Sequence, residues 1–211
     1  MEIIIIWFVL CNLSIIISVF IHECIHGFIS SLNGEAVSTG FNRVGNIYKF
    51  PKDKDFRNNF NPPEKNNFWD FAPQFNLLLA IIFTAVFYFK TYMGSAADYI
   101  ILAFALGNSV IRLIPMVFAL ITRHTEDEIS QGEILVKISG KRILKYVPAV
   151  FSIMVSIACI VFIYMEIYKY GAAGMTIYNL LWIFPSFILS FVILNVLDNH
   201  FRINWQARGK L

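Results

Sequence analysis

The sequence predicts an all-α membrane protein, with about five transmembrane helices and a small β-hairpin in the first cytoplasmic loop. Three observations predict it. Of 211 residues, 57% are hydrophobic and only 15% are charged, against about 25% in soluble domains, and mean hydropathy is +0.63. The apolar residues gather into long runs, each reaching or nearly reaching the roughly 20 residues that a helix needs to cross the hydrocarbon core. Between the first two runs lies a polar stretch that opens with glycine-spaced, partly alternating residues over 37–50, the pattern of a short hairpin.

The elements follow in order. A first helix covers about 3–30 and is read as a retained span. It has Glu2 where a signal peptide carries basic residues, and no small-residue cleavage site. The hairpin and a loop rich in Asn, Lys and Asp occupy about 36–67, with Pro62 and Pro63 marking a flexible linker. Helices over about 71–92, 96–121, 143–168 and 175–197 complete a single polytopic domain, 1–211. No repeat of 20 to 50 residues is present. Cys11, Cys24 and Cys159 all fall inside predicted helices, which argues for packed thiols and against a disulfide framework.

Charge sets the expected orientation. The segment 33–70 holds six Lys and Arg residues, 122–145 holds five and the tail three, while the two remaining loops have one each, Lys90 and Lys169. With five spans, the two large loops and the tail share one side, and the positive-inside rule makes that side cytoplasmic, with the N-terminus outside. The net charge of +3 is thus explained by topology. No nucleic-acid-binding motif accompanies it, so the partners expected are the lipid bilayer and membrane-borne molecules.

His22-Glu23-Cys24-Ile25-His26 has the form H-E-x-x-H. Residues four apart on a helix lie on one face, so His22 and His26 can bind one metal ion together. Glu23 is offset by about 100°, close enough to serve as a base without being a ligand, the arrangement of metal-assisted hydrolysis with Zn²⁺. Cys24 lies about 200° round from His22 and is not counted as a ligand. The bland alternative is a set of polar residues packed against other helices. Ionisable residues inside a span are costly, and three together argue for function. A catalytic zinc takes a third protein ligand, which must come from the cytoplasmic end of another span. The segment Glu126-Asp127-Glu128 follows the third helix on that side. Asp127 is the choice, with Glu126 and Glu128 as alternates and His124 behind them; a solvated loop or a helix start is the competing reading.

The resemblance begins here. Gly27 and Leu32-Asn33-Gly34 follow the H-E-x-x-H core, and Phe71-Ala72-Pro73-Gln74-Phe75-Asn76-Leu77-Leu78-Leu79-Ala80 opens the second helix. Together they resemble the site-2-protease family of intramembrane zinc metalloproteases, whose next helix opens with G-P-x-x-N-L-L-L-A. Order and spacing agree over about the first 130 residues, and the last two spans carry no recognised motif. The family's third motif, N-x-x-P followed closely by L-D-G, is altered. Arg112-Leu113-Ile114-Pro115 has Arg for Asn, the acids arrive about ten residues later, and no Gly follows Asp127. The chain looks like a divergent, compact member.

The resemblance implies a hairpin between the first two core helices, an Asp third ligand, and transmembrane protein or peptide substrates cut near the cytoplasmic face. The hairpin would offer an edge to an unwound substrate by strand addition. Asn76 either caps the second helix or lines the site. Asn108, one turn before Arg112, would stand in for the missing amide. Arg112 either pairs with an acid of the 126–128 cluster, the favoured reading, or stabilises an oxyanion. Asn12, Ser14 and Ser18 are expected to bond between helices. The competing readings are a membrane zincin with Glu126 or Glu128 as third ligand, and a catalytically inactive metal-binding or regulatory relative. A transporter would show a broken-helix repeat, which is absent.

Overall fold

Lipid offers no partner to a bare peptide group, so each apolar run closes its hydrogen bonds within itself as a helix. The computed structural model describes residues 2–32, 34, 36–42, 44–46, 71–89, 96–122, 127–170, 177–198 and 200–205. In chain order the elements are α1 (Glu2–Leu32), β1 (Val37–Thr39), β2 (Val44–Asn46), α2 (Ala72–Phe89), α3 (Ala96–Thr122), α4 (Asp127–Ser139), α5 (Val147–Tyr170), α6 (Ile177–Leu180), α7 (Ile183–Leu197) and β3 (Ile203–Trp205). Among these residues five segments are long and apolar enough to cross a membrane: 4–32, 72–89, 96–122, 142–168 and 178–197. The expected helical class, with a small antiparallel sheet, is the one observed. Residues 90–92 and 175–176 of the expected helices, 47–50 of the expected hairpin and the 51–67 loop lie outside the described residues.

The core forms around α3, which packs against α1, α2, α5 and α7. Trp7, Cys11, Ile15 and Val19 recur every four residues along one face of α1. They belong to one buried cluster with Leu102, Leu106 and Val110 of α3, Ile163 and Ile167 of α5, and Leu194 of α7. Polar contacts between spans are few and directed, as lipid-embedded packing requires. Ser14 donates to the Ala103 carbonyl (2.9 Å), and a Cβ at Gly107 would run into the Ser14 hydroxyl, so α1 and α3 approach closely there. Asn12 accepts from Ser190 of α7 (2.9 Å). Ser18 takes part through its carbonyl, not its hydroxyl. Large apolar side chains such as Leu78, Phe118, Phe151 and Ile188 face outward, as lipid-facing residues do.

Three departures from the sequence reading matter. First, α4 occupies ground read as loop. Its 13 residues carry too little apolar length to signal a span, and Asp127 and Glu128 in the first turn favour the helix by complementing its dipole. A 3-10 turn, Arg142–Tyr146, then leads into α5, which starts at Val147. Second, the last span is two pieces, α6 and α7, joined by a turn at Leu181 and Trp182. Third, the tail supplies a strand. The sheet order is β2-β1-β3, both pairings antiparallel, so β1 is central, and any free edge belongs to β2 or β3. Three residues of strand leave almost no local pattern to read.

Candidate metal centre

The last turns of α1 and the first turn of α4 converge. His22 is buried among α1, α2 and α3, and His26 stands one turn further along the same face. The two Nε2 atoms are 3.0 Å apart, and Asp127 Oδ2 lies 3.1 Å from His22 Nε2 and 3.3 Å from His26 Nε2. These three residues form the one His/Cys/Asp/Glu group among the described residues able to hold an ion. Two nitrogens about 2.0–2.1 Å from a tetrahedral zinc would be about 3.3 Å apart. The observed spacings are of that size, and two imidazoles with one carboxylate are a donor set that zinc accepts. The site residues therefore fit the metal.

The protonation of His22 is fixed by a chain of amides. The Phe104 carbonyl can only accept, so Asn108 Nδ2 donates to it (2.8 Å) and Asn108 Oδ1 must accept. Asn76 Nδ2 donates to that oxygen (2.9 Å), which leaves Asn76 Oδ1 to accept from His22 Nδ1 (2.7 Å). The imidazole proton thus sits on Nδ1, and the Nε2 lone pair points toward His26 and Asp127. Asn76 and Asn108 are fully buried. Asn76 thus lines the site through His22, and Asn108 braces it through Asn76. The sequence held one signal for this relay: two carboxamides on spans, where an idle amide is costly.

Asp127 is delivered by its neighbour. Glu128 is fully buried, lies 3.3 Å from the Arg112 guanidinium and accepts from Ser152 of α5 (3.1 Å). This anchors the first turn of α4 to α3 and α5. Gly132 lets the next turn sit on the backbone of Lys145, where a Cβ would meet the carbonyl oxygen. Burial pushes the Glu128 carboxyl up, and Arg112 pulls it back. For Asp127, burial also pushes up, but the adjoining His26 and His22 rings outweigh it and hold the carboxyl well below the usual carboxylate range.

The expected residues therefore separate. His22, His26 and Asp127 come together, and half-buried Glu23 adjoins them on α1. Glu128, an alternate third ligand, is drawn instead to Arg112, because two adjacent helical residues point about 100° apart. Arg112 pairs with Glu128 through Nη1, while its Nε has no hydrogen-bond partner among the described residues. Glu126 and His124 lie outside the described residues. No family model, curated protein or solved structure matches the chain. What stands is a multi-pass architecture with a His-His-Asp group able to bind a metal ion.

Proposed function

We propose that the chain is an intramembrane zinc metalloprotease, resembling the site-2-protease family, that cleaves membrane-spanning proteins or peptides near the cytoplasmic face. One observation carries this reading: the donors of His22, His26 and Asp127 converge beside Glu23 at one end of a membrane-length helix. His22, His26 and Asp127 would hold the zinc, which would supply an activated water, with a pKa of about 7, and Lewis acidity toward the scissile carbonyl. Glu23 takes the proton of the attacking water and returns it to the leaving amine. Asn76 and Asn108 keep the His22 lone pair aimed at the ligand cluster. Arg112 and Glu128 hold Asp127 against the histidines. The basic loops and tail set the orientation, with the N-terminus outside and the C-terminus cytoplasmic.

The substrate must expose a carbonyl that its own helix hides, so it unwinds before cleavage. The three-stranded sheet against α1 is suited to receive the unwound stretch. The engagement of Glu128 with Arg112 speaks against Glu128 as the third ligand of a membrane zincin. An inactive metal-binding relative is separated by one experiment. Glu23→Gln should keep its zinc and lose at least about 100-fold in cleavage of a membrane peptide in proteoliposomes. Equal turnover by the variant would reject Glu23 as the base. His22→Ala or His26→Ala should lose metal together with activity, and undiminished zinc in either would reject the ligand assignment.

A further inference from the structure

Glycine is a poor helix former, yet Gly27 stands within α1 directly after His26. Its surroundings give a reason. A Cβ there would run into Thr39 Oγ1 and into the indole of Trp205. The indole N–H donates to Thr39 Oγ1 (2.7 Å), and the ring stands edge-to-face on Phe28, centroids 6.2 Å apart. Gly27, Phe28 and Thr39 thus bound a notch shaped for an aromatic side chain, with a hydrogen-bond acceptor at its wall. Gly27 lies one helical turn from Glu23 on the same face, so the notch is on the base's side of the ligand cluster.

The residue filling the notch arrives on an extended backbone. Ile203, Asn204 and Trp205 pair antiparallel with Thr39, Ser38 and Val37. The opposite edge of β1 is held by β2, and the hairpin turn is fastened because Phe41 N–H and Asn42 N–H both donate to the Asp198 carboxylate at the end of α7. Phe41 also stacks on Phe20 of α1, centroids 4.6 Å apart. β1 is therefore presented on a fixed frame, whereas β3, as short as β1, pairs in the sheet with β1 alone and has Ile203 and Asn204 exposed. A strand that short can be exchanged for another extended peptide using the same ladder.

We infer that the β1 edge and its Gly27–Phe28–Thr39 notch form a binding site for an extended peptide carrying an aromatic residue, tryptophan best, and that the chain's own Trp205 fills it at rest. The role in cleavage rests on the protease reading above; the binding itself does not. The ligand class suits a membrane enzyme, because Trp is enriched where spans meet the aqueous boundary, the region in which a span can unwind.

The test uses the full chain in detergent carrying Trp205→Ala, and a fluorescent peptide with the sequence of residues 200–207. The peptide should bind this variant at least about tenfold more tightly than the same peptide with its Trp replaced by Ala. The unaltered chain, with its notch filled, should bind both weakly. Thr39→Val added to Trp205→Ala should erase the preference for Trp over Phe by removing the acceptor. A chain ending at Arg202 is the second host should Trp205→Ala not fold. Equal binding of the Trp and Ala peptides to a folded variant host would overturn the inference. These measurements need neither metal nor turnover. Absence of cleavage of any membrane peptide by the unaltered, zinc-loaded chain would instead remove the protease reading and leave the binding result in force.

Discussion

At the scale of single residues, the amide of Asn76 carries an unusual share of the site. It accepts from one metal-ligand candidate and donates to a second buried amide, so it decides which nitrogen of His22 offers a lone pair. Asn76→Ala should lower zinc affinity about 10–100-fold, as loss of an outer-sphere partner to a ligating histidine does, measured by competition with a chromogenic chelator. Asn76→Asp keeps the acceptor and should stay closer to the unaltered chain; an Asp variant as weak as the Ala variant would show that the acceptor is not what matters. Asp127→Asn should weaken zinc more than Glu128→Gln. The first change removes the negative charge facing both imidazoles, whereas the second leaves a side chain that still reaches Ser152. The reverse order in metal analysis would move the third ligand to Glu128.

At the scale of elements, α4 is a carrier fastened at two points. Removing the acid of a buried pair leaves a cation stranded, so Glu128→Ala should cost about 3–5 kcal/mol in a reversible denaturant titration. Gly132→Ala should cost about 1–3 kcal/mol, since the Lys145 backbone cannot yield to an added methyl. Either variant should also shed zinc more readily, because the lifted helix takes Asp127 with it. The long helices were legible in the sequence because lipid demands an unbroken apolar run, and His22, Glu23 and His26 were legible because one turn of helix suffices to join them. Location singled out the 126–128 acids together; which of them turns toward the histidines depends on where Arg112 lies, and that is a matter of packing. α4 and β3 were not legible. Each is short, and each is held by contacts with residues remote in the chain, such as Arg112 for Glu128 and Thr39 for Trp205.

At the scale of the whole molecule, the pairing of β1 with β3 brings the first loop and the C-terminal segment to the same end of the helices. Together with the distribution of Lys and Arg, this gives a topology test. In a chain freed of its three native cysteines, single cysteines replacing Lys54 or Arg208 should be labelled from the cytoplasmic side by an impermeant maleimide. One replacing Lys90 should be labelled only from the opposite side. Labelling at the first two positions from different sides would contradict the shared end.

The close approach of α1 and α3 has a consequence for how changes far from the ligands would present themselves. Asn108 follows directly on Gly107, the residue whose missing side chain admits Ser14. A methyl group at position 107 would wedge the two helices apart and draw Asn108 out of reach of Asn76. The histidine ring would then be free to turn over. A substitution at a glycine buried between two helices, remote in sequence from the H-E-x-x-H turn, would thus be read out, in an assay, as a defect in metal retention.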